Sequence, residues 1–324
     1  MNVDRRKEIA IELTNRCNLQ CKICSLWRNS SDLDLKAIIA FLDNYENIGV
    51  SLTGGEPFLY PDMDVLLKYL LKRAVKGEIR DIHISSNGTL GKVREFAGKY
   101  RKYAKWLGLT FSIDGIGKLH DIQRGVDGSF SATMENVTFL RKHIPELKIS
   151  IKMVITQVNQ NHIFPVWKLA KLLGIPVYFK IVENLASYYQ RNSLADISIY
   201  PDFEFVYKSL QLVLEDARKI YNRQDHLFFF FCLENVLKFV ENRNMSFISK
   251  CNTPGQYLFI SVKGDIFPCL YMEHAGNIYN GLDNDKLKDR QDRALTGQCP
   301  RCMSYHGYLQ ECNYAMYNNE GIVL

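Results

Sequence analysis

The chain has 324 residues, 47 % of them hydrophobic, and a formal charge of +6. That length and apolar content suffice to bury a large core in one or two domains, and the mild, scattered charge argues against a nucleic-acid partner. The longest strongly apolar run, 227–233, falls far short of the roughly 20 residues that cross a bilayer. No secretory leader precedes the first predicted strand, which points to a cytoplasmic protein.

In chain order, apolar periodicity predicts a strand over 8–13, a helix over 34–45 and a strand over 49–53. A helix over 62–75, with Asp62 available as its cap, precedes a strand over 81–85 and a helix over 92–103. A strand over 107–113, a helix over 131–144 and a strand over 148–155 come next. A helix over 166–173, closed by Gly174, leads to a strand over 177–182. Six such βα units with helical crossovers build a parallel sheet covered by helices, with sites at the C-terminal ends of its strands. Residues 200–245 read as helical, with Phe203, Val206, Leu210 and Val213 on one face. Around Lys263-Gly264-Asp265, 257–262 and 266–270 read as a β-hairpin. The expected division is a barrel over 1–199, a helical bridge over 200–249 and a small terminal domain over 250–324.

Nine cysteines, an odd number in two clusters, suit metal better than a disulfide framework. Cys17, Cys21 and Cys24, spaced C-x3-C-x2-C, leave the first strand together. Three thiols would leave one iron of a cubane cluster open, whereas structural zinc prefers four ligands. At the back, Cys251, Cys269, Cys299 and Cys302 make four thiols, enough for a complete cubane or a zinc ion, with Cys312 a spare or replacement ligand. Cys232 reads as a small buried hydrophobe.

Other unusual residues cluster at strand ends. Leu52-Thr53-Gly54-Gly55-Glu56-Pro57 offers two glycines where a backbone can approach a ligand, then a turn able to hold an ammonium group. His83-Ile84-Ser85-Ser86-Asn87-Gly88 ends the third strand, and Ser112-Ile113-Asp114-Gly115 the fourth. Ser112 can donate a hydrogen bond, and Arg124 can grip a carboxylate. His120 reads as a surface or loop-bracing histidine, and Asp114 as a turn former or a group near the active site. Glu183 and Asn184, past the sixth strand, read as substrate-facing groups or a solvated strand end.

These runs together, from residue 8 to about 312, resemble the radical S-adenosylmethionine (SAM) enzymes, in the branch with a C-terminal twitch/SPASM-type domain. The resemblance implies an α/β fold: a partial (β/α)6 TIM-like barrel with a small α+β twitch-type cluster domain. It implies a [4Fe–4S] cluster on Cys17, Cys21 and Cys24, with SAM on the open iron. Ile23, Gly54, Gly55, Glu56 and Pro57 become expected SAM contacts, as do Ser85, Asn87, Ser112, Arg124 and Val154. An auxiliary [4Fe–4S] cluster falls to Cys251, Cys269, Cys299 and Cys302, with Cys312 as alternative ligand. Catalytic candidates are Asp114 and Glu183. The implied activity is reductive cleavage of SAM to a 5′-deoxyadenosyl radical and hydrogen abstraction from substrate, fed by a donor such as flavodoxin or ferredoxin. The short stretch before the first strand leaves no room for a fused leader-binding domain. This favours a small-molecule or carbohydrate-like substrate over a peptide or protein maturase. A zinc-stabilised binding protein is the rival of another class.

Overall fold

Eight strands form one sheet in the order β6-β5-β4-β3-β2-β1-β7-β8 in the computed structural model, which describes residues 7–182, 199–242 and 253–296. Strands β1 (Lys7–Glu12), β2 (Ile48–Thr53), β3 (Ile79–Ser86), β4 (Leu107–Ser112), β5 (Lys148–Ile155) and β6 (Val177–Ile181) are mutually parallel. Helices α1 (Leu35–Leu42), α2 (Met63–Val75), α3 (Lys92–Lys99), α4 (Lys118–Arg124), α5 (Ser129–His143) and α6 (Ile163–Leu173) lie in the crossovers. All six parallel strands therefore deliver their C-terminal ends to one side.

Period-two alternation splits the sheet into two unlike faces. Ile9, Ile11, Val50, Leu52, Ile84 and Leu109 join one apolar core with the helices. On α2, Leu66, Leu67, Leu70, Leu71 and Ala74 recur at helical spacing and are buried. The opposite face lines the barrel interior and carries small and polar residues, among them Ser51, His83, Gly108, Thr110 and Ser150. A closed barrel without a ligand fills this space with Val, Ile and Leu. Here strands β2 to β5 line it with polar side chains, while Ala10, Tyr257 and Phe259 form a small apolar cluster on the same face.

Several predicted boundaries shift for local reasons. Asp34 caps α1 by accepting from Ala37 N–H at 2.8 Å, but Asp62 at the start of α2 makes no side-chain capping bond. The predicted helix over 92–103 ends at Lys99, and a 3₁₀ stretch Arg101–Trp106 follows. The short α4, closed by Gly125 in the left-handed region at φ 72°, was not signalled by periodicity.

The helical segment past β6 is a pair, α7 (Phe203–Ile220) and α8 (Leu227–Asn242). Trp167 on α6, fully buried, stacks on Phe229 of α8 and donates its indole N–H to Asp216 of α7 at 2.7 Å. Cys232 is buried in α8, as a small hydrophobe would be. Beyond α8, β7 (Tyr257–Ile260) and β8 (Ile266–Phe267) form the expected antiparallel hairpin. The hairpin continues the main sheet, because β7 pairs in parallel with β1. Buried Glu12 at the end of β1 accepts from Val262 N–H at 2.9 Å and ties the two together. Helix α9, the last among the described residues, spans Asn284–Leu295. Among the described residues no helix is long and apolar enough to cross a membrane.

Candidate active site

The cysteine loop begins where β1 ends and is clamped from two sides. Gly55 N–H donates to Thr14 O at 2.7 Å and Glu56 N–H to Arg16 O at 2.8 Å. On the other side, Gln20 N–H donates to Arg124 O and Lys22 N–H to Gln123 O, both at 3.1 Å. Arg16 grips Asp32 through both carboxylate oxygens, at 3.1 and 2.9 Å, and Asp32 also accepts from Thr14 Oγ1 at 2.6 Å. Close approach explains the two glycines. Gly54 has φ 145°, and a Cβ there would lie 2.4 Å from Thr14 O. A Cβ on Gly55 would lie 2.3 Å from Arg16 O. The Gly-Gly pair seats the cysteine loop on the end of β2.

Glu56 is fully enclosed. Its carboxylate accepts from Phe58 N–H (3.2 Å), Ser86 Oγ (2.9 Å) and Asn87 N–H (2.8 Å), so it fastens the turn after β2 to the end of β3. Burial outweighs these bonds and pushes its pKa up to about 7. Asn87 in turn donates to Asn18 Oδ1 at 2.9 Å and points its amide at Cys17 Sγ, 3.9 Å away.

Arg124 and Asp114 form a buried ion pair at 2.7 Å behind the same loop. Asp114 also accepts from Val154 N–H at 2.9 Å, and Arg124 Nη1 lies 3.8 Å from Cys21 Sγ. Burial pushes the Asp114 carboxyl up while the guanidinium beside it pulls the other way. His120 is fully buried, and its Nδ1 accepts from Asp114 N–H at 3.2 Å, which is the predicted bracing role. Burial first, then the Arg124 charge, hold His120 down at about 3.

Cys17, Cys21 and Cys24 are therefore brought to one end of the barrel together with Gly54, Gly55, Glu56, Asn87, Asp114 and Arg124. Pro57 is buried beside Glu56, and Ile23 is half-buried on the loop. Ser85, Ser112 and Val154 are half-buried on neighbouring strands. Cys269 follows β8 and is half-buried. Glu183, Asn184, Cys251, Cys299, Cys302 and Cys312 lie outside the described residues.

The three thiols fit an iron–sulfur cluster by the chemistry of their surroundings. Leu19 N–H at 3.5 Å, Asn87 and Arg124 all aim donors at sulfur, an environment suited to thiolates. Buried polar atoms without partners, Asn15 Oδ1, Gln123 Nε2 and Arg124 Nε, surround the same loop. Burial, with smaller additions from Cys21, Glu56 and Cys24, pushes the Cys17 thiol up to about 11. Metal binding would have to displace that proton. Among the described residues no three His, Cys, Asp or Glu side chains stand at metal-ligand spacing.

Inside the barrel, a chain of side chains went unassigned by sequence reasoning. His83 Nε2 lies 2.6 Å from Thr110 Oγ1, which lies 2.7 Å from Ser150 Oγ. Gly108, paired with His83, leaves room for the ring, since a Cβ there would meet Nδ1 at 2.8 Å. Burial, and secondarily the charge of Lys152, push His83 down to about 4, so the imidazole is neutral near pH 7. Polar residues at every second position of interior strands were the available signal.

The C-terminal ends of the barrel strands thus carry a three-cysteine loop with a glycine-lined turn seated against it. Residues 11–165 match the family model of the Radical SAM superfamily. The AdoMet-dependent heme synthase of Methanosarcina barkeri is 27 % identical over 321 residues, covering 91 % of this chain and 87 % of that protein. The antilisterial bacteriocin subtilosin biosynthesis protein AlbA of Bacillus subtilis is 25 % identical over 321 residues, covering 94 % of this chain but 65 % of AlbA. In fold, the chain is similar to anSMEcpe with bound AdoMet, with a TM-score of 0.67, 16 % identity and 97 % coverage of both chains. The chain carries a Radical SAM superfamily domain over residues 11–165, set in an α/β partial-barrel fold. The family uses a [4Fe–4S] cluster and SAM.

Proposed function

We propose that the chain initiates radical chemistry at Cys17, Cys21 and Cys24 and removes hydrogen from a C–H bond of a polar small molecule held in the barrel, with net oxidation of the substrate. When bound, the cluster and SAM supply an electron-driven source of a 5′-deoxyadenosyl radical, fed by a donor such as flavodoxin or ferredoxin. The chain's own residues bind, orient and exclude water. Gly54 and Gly55 give the backbone close access, and Ser85, Asn87, Ser112 and Val154 surround the space where SAM would lie. Ile23 and Pro57 add apolar walls to it. Asp114 is better suited to holding Arg124 than to moving protons, because it is fully buried and ion-paired with the guanidinium.

The observation that carries the substrate class is the lining of the barrel. Ser85, Thr110 and Ser150 stand side by side in register, and with His83 they favour a hydrogen-bonding substrate over an apolar one. The heme synthase relative supports a small molecule. The similarity to AlbA, a bacteriocin biosynthesis protein, supports a second reading as a peptide-modifying enzyme.

In this proposal Cys251, Cys269, Cys299 and Cys302 hold an auxiliary [4Fe–4S] cluster that accepts the substrate's electron, with Cys312 as alternative ligand; this cluster belongs to a twitch-type domain over 250–324. Residues 1–199 form the catalytic barrel and 200–249 the bridge. Glu183 is a further candidate for contact with substrate. Anaerobically purified protein is expected to hold about eight irons, and Cys269→Ser about four, for two cubane clusters. The variant should still form 5′-deoxyadenosine. Iron unchanged by Cys269→Ser would remove the auxiliary cluster, and deuterium transfer from labelled candidates into 5′-deoxyadenosine decides between small molecule and peptide.

A further inference from the structure

The buried ion pair behind the cysteine loop has its cation turned toward a sulfur. Arg124 Nη1 is 3.8 Å from Cys21 Sγ while Nη2 is 2.7 Å from Asp114 Oδ2. The guanidinium therefore stands between the carboxylate and the thiol. Both residues are buried, Asp114 completely and Arg124 to 8 % exposure, so their fields at the loop are little screened by salt or water. Asn87 offers a second, uncharged donor to Cys17 Sγ.

We infer that Asp114 and Arg124 are an opposed pair that sets the reduction potential of the cluster on Cys17, Cys21 and Cys24. The inference rests on the reading that these thiols hold a [4Fe–4S] cluster. Adding an electron makes the cluster more negative, so a neighbouring cation and an N–H donor to sulfur favour the reduced form and raise the potential. Arg124 supplies both. Asp114, on the far side of the guanidinium, restrains that effect and fixes the direction of the fork. Asn87 contributes a donor without charge and has the smaller influence.

The signs follow. Arg124→Met removes the cation and the donor and leaves Asp114 unbalanced, so the midpoint potential moves down. Asp114→Asn keeps the shape and unmasks the cation, so it moves up. Asn87→Leu moves it down by less than Arg124→Met. The double variant Asp114→Asn/Arg124→Met buries neither charge. It guards against a single variant that fails to fold, and its potential should fall between those of the two single variants.

The test is an electron paramagnetic resonance titration of the full chain with dithionite, after anaerobic reconstitution with iron and sulfide. The cluster in question is the one whose signal changes when SAM is added. Opposite shifts for Arg124→Met and Asp114→Asn support the pair as a potential-setting element. A purely structural brace predicts loss of signal without ordered shifts, and unchanged or same-direction potentials overturn the inference while leaving the cluster reading standing. Wild-type protein that forms no SAM-responsive cluster overturns both.

Discussion

Gly55→Ala is expected to lose the cluster on Cys17, Cys21 and Cys24, leaving about four of about eight irons after anaerobic reconstitution. The added Cβ would stand 2.3 Å from Arg16 O and 2.7 Å from Asn15 O. Both contacts are backbone atoms of the segment leading into Cys17, so no side chain can rotate away to relieve them. The loop must leave the end of β2, breaking the Gly55–Thr14 and Glu56–Arg16 hydrogen bonds that hold it there. Overpacking of this kind costs about 1–3 kcal/mol, but the larger consequence is positional. Three thiols on a displaced loop no longer face the groups that favour thiolate. The rest of the core is untouched, so the far-ultraviolet circular dichroism should stay close to wild type while iron and sulfide per chain fall by about half. Full iron loading in Gly55→Ala would show that the glycine pair does not seat the loop.

Glu56→Gln is expected to cost stability, and to cost less of it as pH rises. Glutamine presents an NH2 where the carboxylate accepts from Phe58, Ser86 and Asn87, and a buried polar group facing the wrong partner costs about 1–3 kcal/mol. The pH term opposes this. Burial pushes Glu56 up to about 7 in the folded chain, from an ordinary value of 4.5. Between those values the folded protein holds a proton that the unfolded chain has lost. Wild-type stability from this group is therefore full below about pH 4.5, falls as pH rises, and levels off above about 7. The glutamine cannot ionise and lacks that fall. Relative to wild type, the variant should gain a few kcal/mol from pH 4.5 to pH 7.5, read from urea unfolding of both proteins. His83 and His120 titrate in both and cancel in the difference. Parallel stability curves would mean that Glu56 is ionised throughout.

Much of the barrel was legible because its signal is local. Alternating apolar residues in β1 and β3 to β6, and helical spacing in α2, need only their own neighbours to be read. The join of β7 to β1 had no such signal, since Tyr257 pairs with Glu8 across most of the chain. The cysteine loop, the glycine pair and Arg124 were visible as motifs, and the parallel strands explain why motifs so far apart in sequence meet. The role of Glu56 was less visible: its type suggested a ligand contact, yet its oxygens are spent on Phe58, Ser86 and Asn87. Asp114 read as a turn former or a group near the active site, and its pairing with Arg124 had no signal in the sequence. His83 passed unassigned because only the register reveals that Gly108 makes room for its ring beside Thr110.

The central claim is that Cys17, Cys21 and Cys24 carry the cluster that opens SAM. Its most direct measurement is 5′-deoxyadenosine formed from SAM by anaerobically reconstituted protein with dithionite, compared with Cys21→Ala. Wild type should produce 5′-deoxyadenosine and methionine together, and Cys21→Ala none above background. Production unchanged by Cys21→Ala, or a wild-type protein that holds zinc and no iron, would contradict the claim.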